Sequence, residues 1–476
     1  MSKDEKKPAE KKSGKKAQPY TAPEGSFWAK AWTLPAVLAG LGLLLVIVFG
    51  VMGNVERLGY AYLFALITVL TFVFGGLFLV IAEHLTAGHW GVTTRRIPEV
   101  VASAAPLVGV LAIPLFAGVY SGSFTMYDEW MHVHHHDAEH EEGEGEHDEG
   151  DSEEGDEAAE DEASDEEASL FGASVAHAQH GDAEAEEHVA HHTPQYEALH
   201  HATLQKKSGY LAPTGWGVRA LFYFLIWTVL ALFYFRTSRK QDETKDLQLT
   251  NKMKKWAPLS AIAFGLTLTF AAFDWVMSLE PTWYSTIFGV VIFAGSAVGI
   301  LAFTTIIAIS LIQRGVVGKA MNVEHVHDLG KLLFGFMCFW AYTSFSQWML
   351  IWYAGIPEEA VWFHKRWEGG WQFWSIVLML GHFALPFYYL ISRMVKRRLP
   401  MMMIGAIWLL TMHIADVYWY VMPQFGPLTP RPVDFGALFL VGGTFFAYVF
   451  WQLGRVPLVP VGDPRLQRGL DHHQSH

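Results

Sequence analysis

The sequence predicts an all-α, polytopic membrane protein with ten membrane-spanning helices. Three observations lead there. The chain has 476 residues, is 51% hydrophobic and contains 19 Trp and 33 Phe. Ten apolar runs with few charges reach about 18 residues or more, the length a helix needs to cross hydrocarbon. No segment shows the short alternating pattern of a membrane β-barrel.

The runs lie at roughly 31–52, 59–84, 97–120, 215–236, 257–279, 286–313, 329–354, 371–393, 400–422 and 435–454. Several contain Gly or Pro, which membrane helices tolerate better than soluble ones. The single cysteine, Cys338, lies in the seventh run. It leaves the chain without an internal disulfide, a thiolate-held metal or an iron–sulfur centre. The lysine-rich start, "MSKDEKKPAEKKSGKKAQ", has no apolar stretch directly behind it, so the first spanning helix is expected to serve as the insertion signal.

Charge sets the expected orientation. Of 34 Lys and Arg, 26 fall in the N-terminal tail, the loops after runs 2, 4, 6 and 8, and the C-terminal tail. Seven belong to the other side (Arg57, Lys206, Lys207, Arg219, Lys365, Arg366 and Arg431), and Lys331 lies within run 7. The positive-inside rule then makes both termini cytoplasmic, as ten helices require. The chain divides into a lysine-rich cytoplasmic tail (1–30), helices 1–3 (31–120), an external loop (121–207), helices 4–10 (208–455) and a second cytoplasmic tail (456–476).

The external loop dominates the net charge of −13, with 26 Asp and Glu, two Lys and thirteen of the 23 His. It has too little apolar content to bury a core and is expected to be largely disordered. Its imidazoles, His132, His134, His135 and His136 first among them, could gather a divalent metal. A solvated acidic insertion is the simpler reading, because His tracts bind metal weakly without any dedicated site. No metal site is expected.

Ionisable residues inside spanning helices are the functional candidates. Asp274 sits near the end of run 5, where water or Arg219 at the start of run 4 could satisfy it. Protonation would also relieve the cost of its burial, which suits proton handling; a structural Asp274–Arg219 pair is the plainer alternative. In run 9, "TMHIADVYWYVMP" places His413 and Asp416 three apart and hence on one helix face. Such a pair can relay a proton, and quinol oxidation needs an acceptor of that kind. His382 in run 8 serves equally well as a helix–helix hydrogen bond. Glu83 and His84 close run 2 and are expected to be interfacial. Ser344, Ser346 and Gln347 in run 7 are expected to bond neighbouring helices.

Asp274 and Asp416 are each followed seven residues later by proline, Pro281 and Pro423, in helices four apart. This suggests two four-helix units, helices 2–5 and 6–9, in parallel repeat, flanked by helices 1 and 10. Three functions fit these features. One is a redox-complex subunit. Another is a secondary transporter for cations or metals, although closely spaced ligands at midplane are missing. The third is a haem b membrane anchor, although only His382 and His413 lie deep in the helices.

Three stretches carry a family resemblance: "HWGVTTRRIPEV", "FDWVMSLEPTWYSTIFGVVIFAGS" and "DLGKLLFGFMCFWAYTSFSQWMLIWYAGIPEEAVWF". With these the chain resembles the second of the two NrfD-like (polysulfide-reductase-type) membrane subunits of bacterial alternative complex III, a quinol:electron-acceptor oxidoreductase. The resemblance implies ten helices in two four-helix bundles in the bacterial inner membrane. It implies as partners a sister NrfD-like subunit, an iron–sulfur subunit, c-type cytochrome subunits and, beyond the complex, a terminal oxidase. Clusters and haem c would reside in those partners, and quinone or quinol is the ligand it allows here. With no cluster ligands and no C-x-x-C-H site, this chain is expected to carry no electrons. Its roles would be scaffold, quinone contact or proton path, with Asp274, His413 and Asp416 carried into them. The bilayer is the remaining partner, and nothing points to nucleic acid.

Overall fold

The computed structural model describes residues 20–131 and 194–471, apart from Glu24, Trp90 and Lys319. Among the described residues there are helices and no strands. Nine helices among the described residues are long and apolar enough to cross a membrane. They are α1 (Phe27–Val51), α2 (Val55–Leu85), α3 (Arg96–Tyr120), α4 (Pro213–Thr244), α5 (Leu247–Leu279), α6 (Phe288–Gln313), α8 (Trp371–Leu390), α9 (Leu399–Gln424) and α10 (Pro432–Leu453). Between α6 and α8 runs α7, Val323–Ala354, a continuous helix of 32 residues. It is long enough to span, but its first three turns carry Glu324, His325, His327, Asp328 and Lys331, which lower its hydropathy. The chain is a polytopic all-α membrane protein. The expected ten spans therefore divide into nine apolar helices and one long helix whose first turns are polar.

The helix boundaries follow local chemistry. Asn54 caps α2 by accepting from Arg57 N at 2.7 Å, and Asp246 caps α5 by accepting from Gln248 N at 2.9 Å. Asn322 and His325 form a reciprocal cap on α7, which stops at Gly355 in the left-handed region. The two acids flagged by their trailing prolines lie in matching contexts: α5 and α9 both end in a 3-10 turn, Met277–Leu279 and Met422–Gln424.

Two units divide the chain: Met1–Tyr127 with Trp216–His476, and Asp128–Gly215. Within the smaller one, Asp128–Met131 and Pro194–Leu211 are helical, and His200 Nε2 lies 2.6 Å from Glu129 Oε1. The acidic stretch between them, with His132, His134, His135 and His136, lies outside the described residues.

In the larger unit, α2 to α5 pack through aromatic contacts such as Phe74–Trp227 and Phe116–Trp216. Helices α6 to α9 pack likewise through Phe288–Tyr420 and Phe334–Phe387. A tryptophan repeats across both groups: Trp216 Nε1 of α4 donates to Asp274 O, and Trp374 Nε1 of α8 donates to Ala415 O. The first and last helices pack on each other through small residues. A Cβ on Gly42 would lie 2.7 Å from Gly436 O, and one on Gly443 would lie 2.7 Å from Pro35 O. The last segment, expected as a cytoplasmic tail, is packed: Val456, Leu458 and Val459 are buried, and Leu458 N donates to Tyr20 O at 2.9 Å.

This close approach generates a test. Gly42→Val should destabilise the protein by about 1–3 kcal/mol through overpacking. Gly40→Val, where a Cβ meets nothing within 4 Å, should leave the melting temperature in detergent unchanged.

Candidate functional site

The i, i+3 spacing in α9 does put His413 and Asp416 on one buried face, and α6 opposes that face with Gly295 and Gly299. The glycines let α9 come close. A Cβ on Gly299 would lie 2.6 Å from His413 Cδ2, and one on Gly295 would lie 3.7 Å from Asp416 Oδ2.

The two residues do not bond each other; each is anchored to another helix. His413 Nε2 lies 2.8 Å from Thr71 Oγ1 of α2. Thr71 has one hydroxyl proton and donates it to Thr68 O at 2.7 Å. It must then accept from His413, so the imidazole carries its proton on Nε2 and presents a bare Nδ1. Asp416 Oδ2 accepts from Trp340 Nε1 of α7 at 3.0 Å. On the other side Trp340 stacks on His382, ring centroids 3.9 Å apart and 28° inclined. His382 occupies a π-helical turn of α8, Met379–Ala384, a local widening common at functional positions.

Five buried polar atoms in this region make no hydrogen bond: His413 Nδ1, Asp416 Oδ1, His382 Nδ1 and Nε2, and Ser344 Oγ. Buried polar atoms are nearly always bonded, so these orphans leave room for a further polar partner; His84, Arg95 and Arg96 carry unbonded nitrogens as well. His382, His413 and Asp416 are at most 1% exposed. Tyr420, one turn beyond Asp416, also faces Asp416 and Ser344. The arrangement offers a proton acceptor, a carboxyl group and a second imidazole within the helices, which is the equipment of a proton-transfer site.

Asp274 is a different case. It is fully buried, not held near water as one of the expected readings had it. Arg219 Nε and Nη2 donate to its two oxygens, each at 2.9 Å, and Tyr223 Oη donates at 2.8 Å. A guanidinium thus compensates the charge, where protonation had been the alternative. Arg57 and Asp434 repeat the arrangement between α2 and α10, with bidentate bonds of 2.9 and 2.6 Å and Tyr418 Oη donating at 2.9 Å. These are closed pairs.

Glu83 and His84, in the last turn of α2, are buried within the protein, 7% and 1% exposed. Glu83 accepts from Arg95 at 2.9 Å, and Arg95 also reaches Glu99 at 2.7 Å and Asp463 at 2.8 Å. Arg96 bridges Glu99 to Asp242 of α4, while Arg465 pairs with Asp463. His84 stacks on Tyr234. The returning C-terminal segment covers what the sequence suggested was a wet helix mouth. Of the three residues expected to bond neighbouring helices, Gln347 Oε1 accepts at 3.2 Å from Ser285 Oγ, which lies in the connection before α6 rather than in a helix.

Arg57, Arg95, Arg96, Glu99, Asp242, Asp434, Asp463, Thr71 and Trp340 were not among the site residues expected from the sequence. Arg95, Arg96 and Glu99 fall within the quoted "TTRRIPE", so the motif was visible while its partners were not. Arg366 is another: it is buried, stacks 3.4 Å above Trp362, and donates to Trp362 O, Trp419 O and Tyr420 O. Burial pushes its pKa down, against the pull of Glu280. Among the described residues no three His, Cys, Asp or Glu converge as a metal centre requires.

No protein-family model matches the chain, and no curated protein matches it either.

Two outcomes follow from these pairs. Asp274→Asn should lower assembled yield by removing the carboxylate charge that faces Arg219, at a cost of about 3–5 kcal/mol before its part exposure is discounted. Arg219→Met in the same chain should restore part of that yield, measured by detergent melting. The second concerns pH. Burial alone would raise the Asp463 carboxyl, but Arg95 and Arg465 outweigh it and hold it well below the usual range. A depressed folded-state pKa contributes stability above the unfolded value and loses it as pH falls toward the folded one. The melting-temperature gap between wild type and Asp463→Asn should therefore stay constant from neutral pH and shrink only below about pH 4.

Proposed function

We propose that this chain is an integral-membrane subunit of a respiratory quinol:electron-acceptor oxidoreductase of the alternative complex III type, passing electrons to cytochrome c through its partners. Its own part is quinone contact or proton translocation, together with a scaffold role. The observation that carries this reading is the incompletely bonded cluster His413–Asp416–Trp340–His382, which spans α7, α8 and α9 and is tied to α2 through Thr71. Oxidising a quinol releases two protons, and acceptors away from bulk water must take them up. The bare Nδ1 of His413 and the free oxygen of Asp416 supply such acceptors on one helix face.

The family reading rests on the resemblance of the three quoted stretches. The partners it names are a sister membrane subunit, an iron–sulfur subunit and c-type cytochromes, in a bacterial inner membrane with both termini cytoplasmic. The acidic loop would then face outward. Asp274 is assigned to structure within this reading, because its pair is closed.

Purification in mild detergent, with identification of co-purifying chains, tests the assignment. Redox partners should accompany the protein. A chain that purifies alone and moves cations, or that carries a stoichiometric haem b, would overturn it. Within the assembled complex, Asp416→Asn and His413→Gln should each slow quinol oxidation by about 100-fold, the usual reach of general acid–base catalysis, while assembly is kept. Ser346→Ala should leave turnover unchanged.

A further inference from the structure

We propose that a groove between α2, α5 and α6 seats one acyl chain of an anionic phospholipid whose phosphate lies against Lys254. The groove has a volume of about 300 Å³ and is lined by Phe78, Ala82 and Leu85 of α2, Ala261 and Gly265 of α5, and Phe293 of α6, among others. Gly265 forms part of its floor: a Cβ there meets nothing within 4 Å. At one end Gly289 closes on Thr269, whose Cγ2 would lie 2.7 Å from an added Cβ. The other end lies at Leu85, which is 49% exposed.

The lining selects hydrocarbon. Its one hydroxyl, on Thr269, is bonded within its own helix to Gly265 O at 2.8 Å. No donor remains for a quinone carbonyl or another polar headgroup inside the groove. The charge lies beyond the Leu85 end. Lys254 precedes Ala261 by seven residues, the spacing that keeps both on one helix face, and it interacts electrostatically with His84, the neighbour of Leu85. The same turn, "NKMKKW", adds Lys252, Lys255 and the exposed Trp256 and contains no carboxylate. Lysines and a tryptophan at one helix end form a headgroup-level belt, and their charge suits a phosphodiester that bears net negative charge. An apolar slot that ends beside such a belt matches a phospholipid in both chemistry and order.

The test uses the full-length protein, delipidated in mild detergent and titrated with phosphatidylglycerol or phosphatidylcholine of identical acyl chains. Native mass spectrometry counts the lipids retained. One lipid should bind with a preference of about five-fold for phosphatidylglycerol, the contribution of one lysine near an anionic headgroup. Gly265→Leu fills the groove and should weaken both lipids by about ten-fold, whereas Gly265→Ala should bind as wild type. Lys254→Glu should abolish the headgroup preference while phosphatidylcholine binding persists. Equal affinity of the wild type for both lipids would overturn the proposal, as would unchanged binding by Gly265→Leu. So would loss of a co-purifying membrane protein from Gly265→Leu with lipid retention intact, which would make the groove a protein contact. None of these readouts depends on quinol oxidation.

Discussion

A charge placed among helices that sit in hydrocarbon must be matched within the protein, and that requirement organises this structure. Arg57 joins α2 to Asp434 of α10 across 377 residues of sequence, and Arg219 joins α4 to Asp274 of α5. The network around Arg95 gathers the ends of α2 and α4, the start of α3 and the C-terminal segment into one buried set. Pairs of this kind contribute less by their net energy than by the penalty for breaking them, because removing either partner strands a charge. They therefore fix which helices may be neighbours. Apolar packing alone discriminates poorly where lipid tails are as apolar as leucine.

The cluster on α9 differs from the Asp274 and Asp434 pairs in having no arginine opposite its carboxylate. Asp274 and Asp434 each receive a bidentate arginine and a tyrosine hydroxyl. Asp416 receives an indole N–H and faces the Tyr420 hydroxyl but meets no arginine, and His413 uses one of its two nitrogens. The environment is also shaped to hold them in place: Gly299 leaves His413 just enough space, Trp340 is clamped between Asp416 and His382, and a π-helical turn carries His382. The buried acids of the membrane domain thus differ in their partners: Asp274 and Asp434 meet an arginine, whereas Asp416 meets a tryptophan.

Helical class, the positions of the apolar runs and the shared face of His413 and Asp416 were all legible in the sequence, because they depend on hydropathy and on a 3.6-residue period. The prolines after Asp274 and Asp416 likewise marked two helices that end alike. Local patterns say nothing, however, about which distant side chain completes a buried group. Glu83 and His84 read as a wet helix mouth because the segment that buries them lies more than 370 residues further on. Asp274 and Asp416 read as equivalents, yet one met an arginine and the other a tryptophan. His413 found its acceptor on α2, 342 residues earlier. Periodicity determined the face each residue shows. Only the packing of non-adjacent helices decided whether that face met a compensating charge, since burial removes water as a partner and leaves the choice to whichever helix lies opposite.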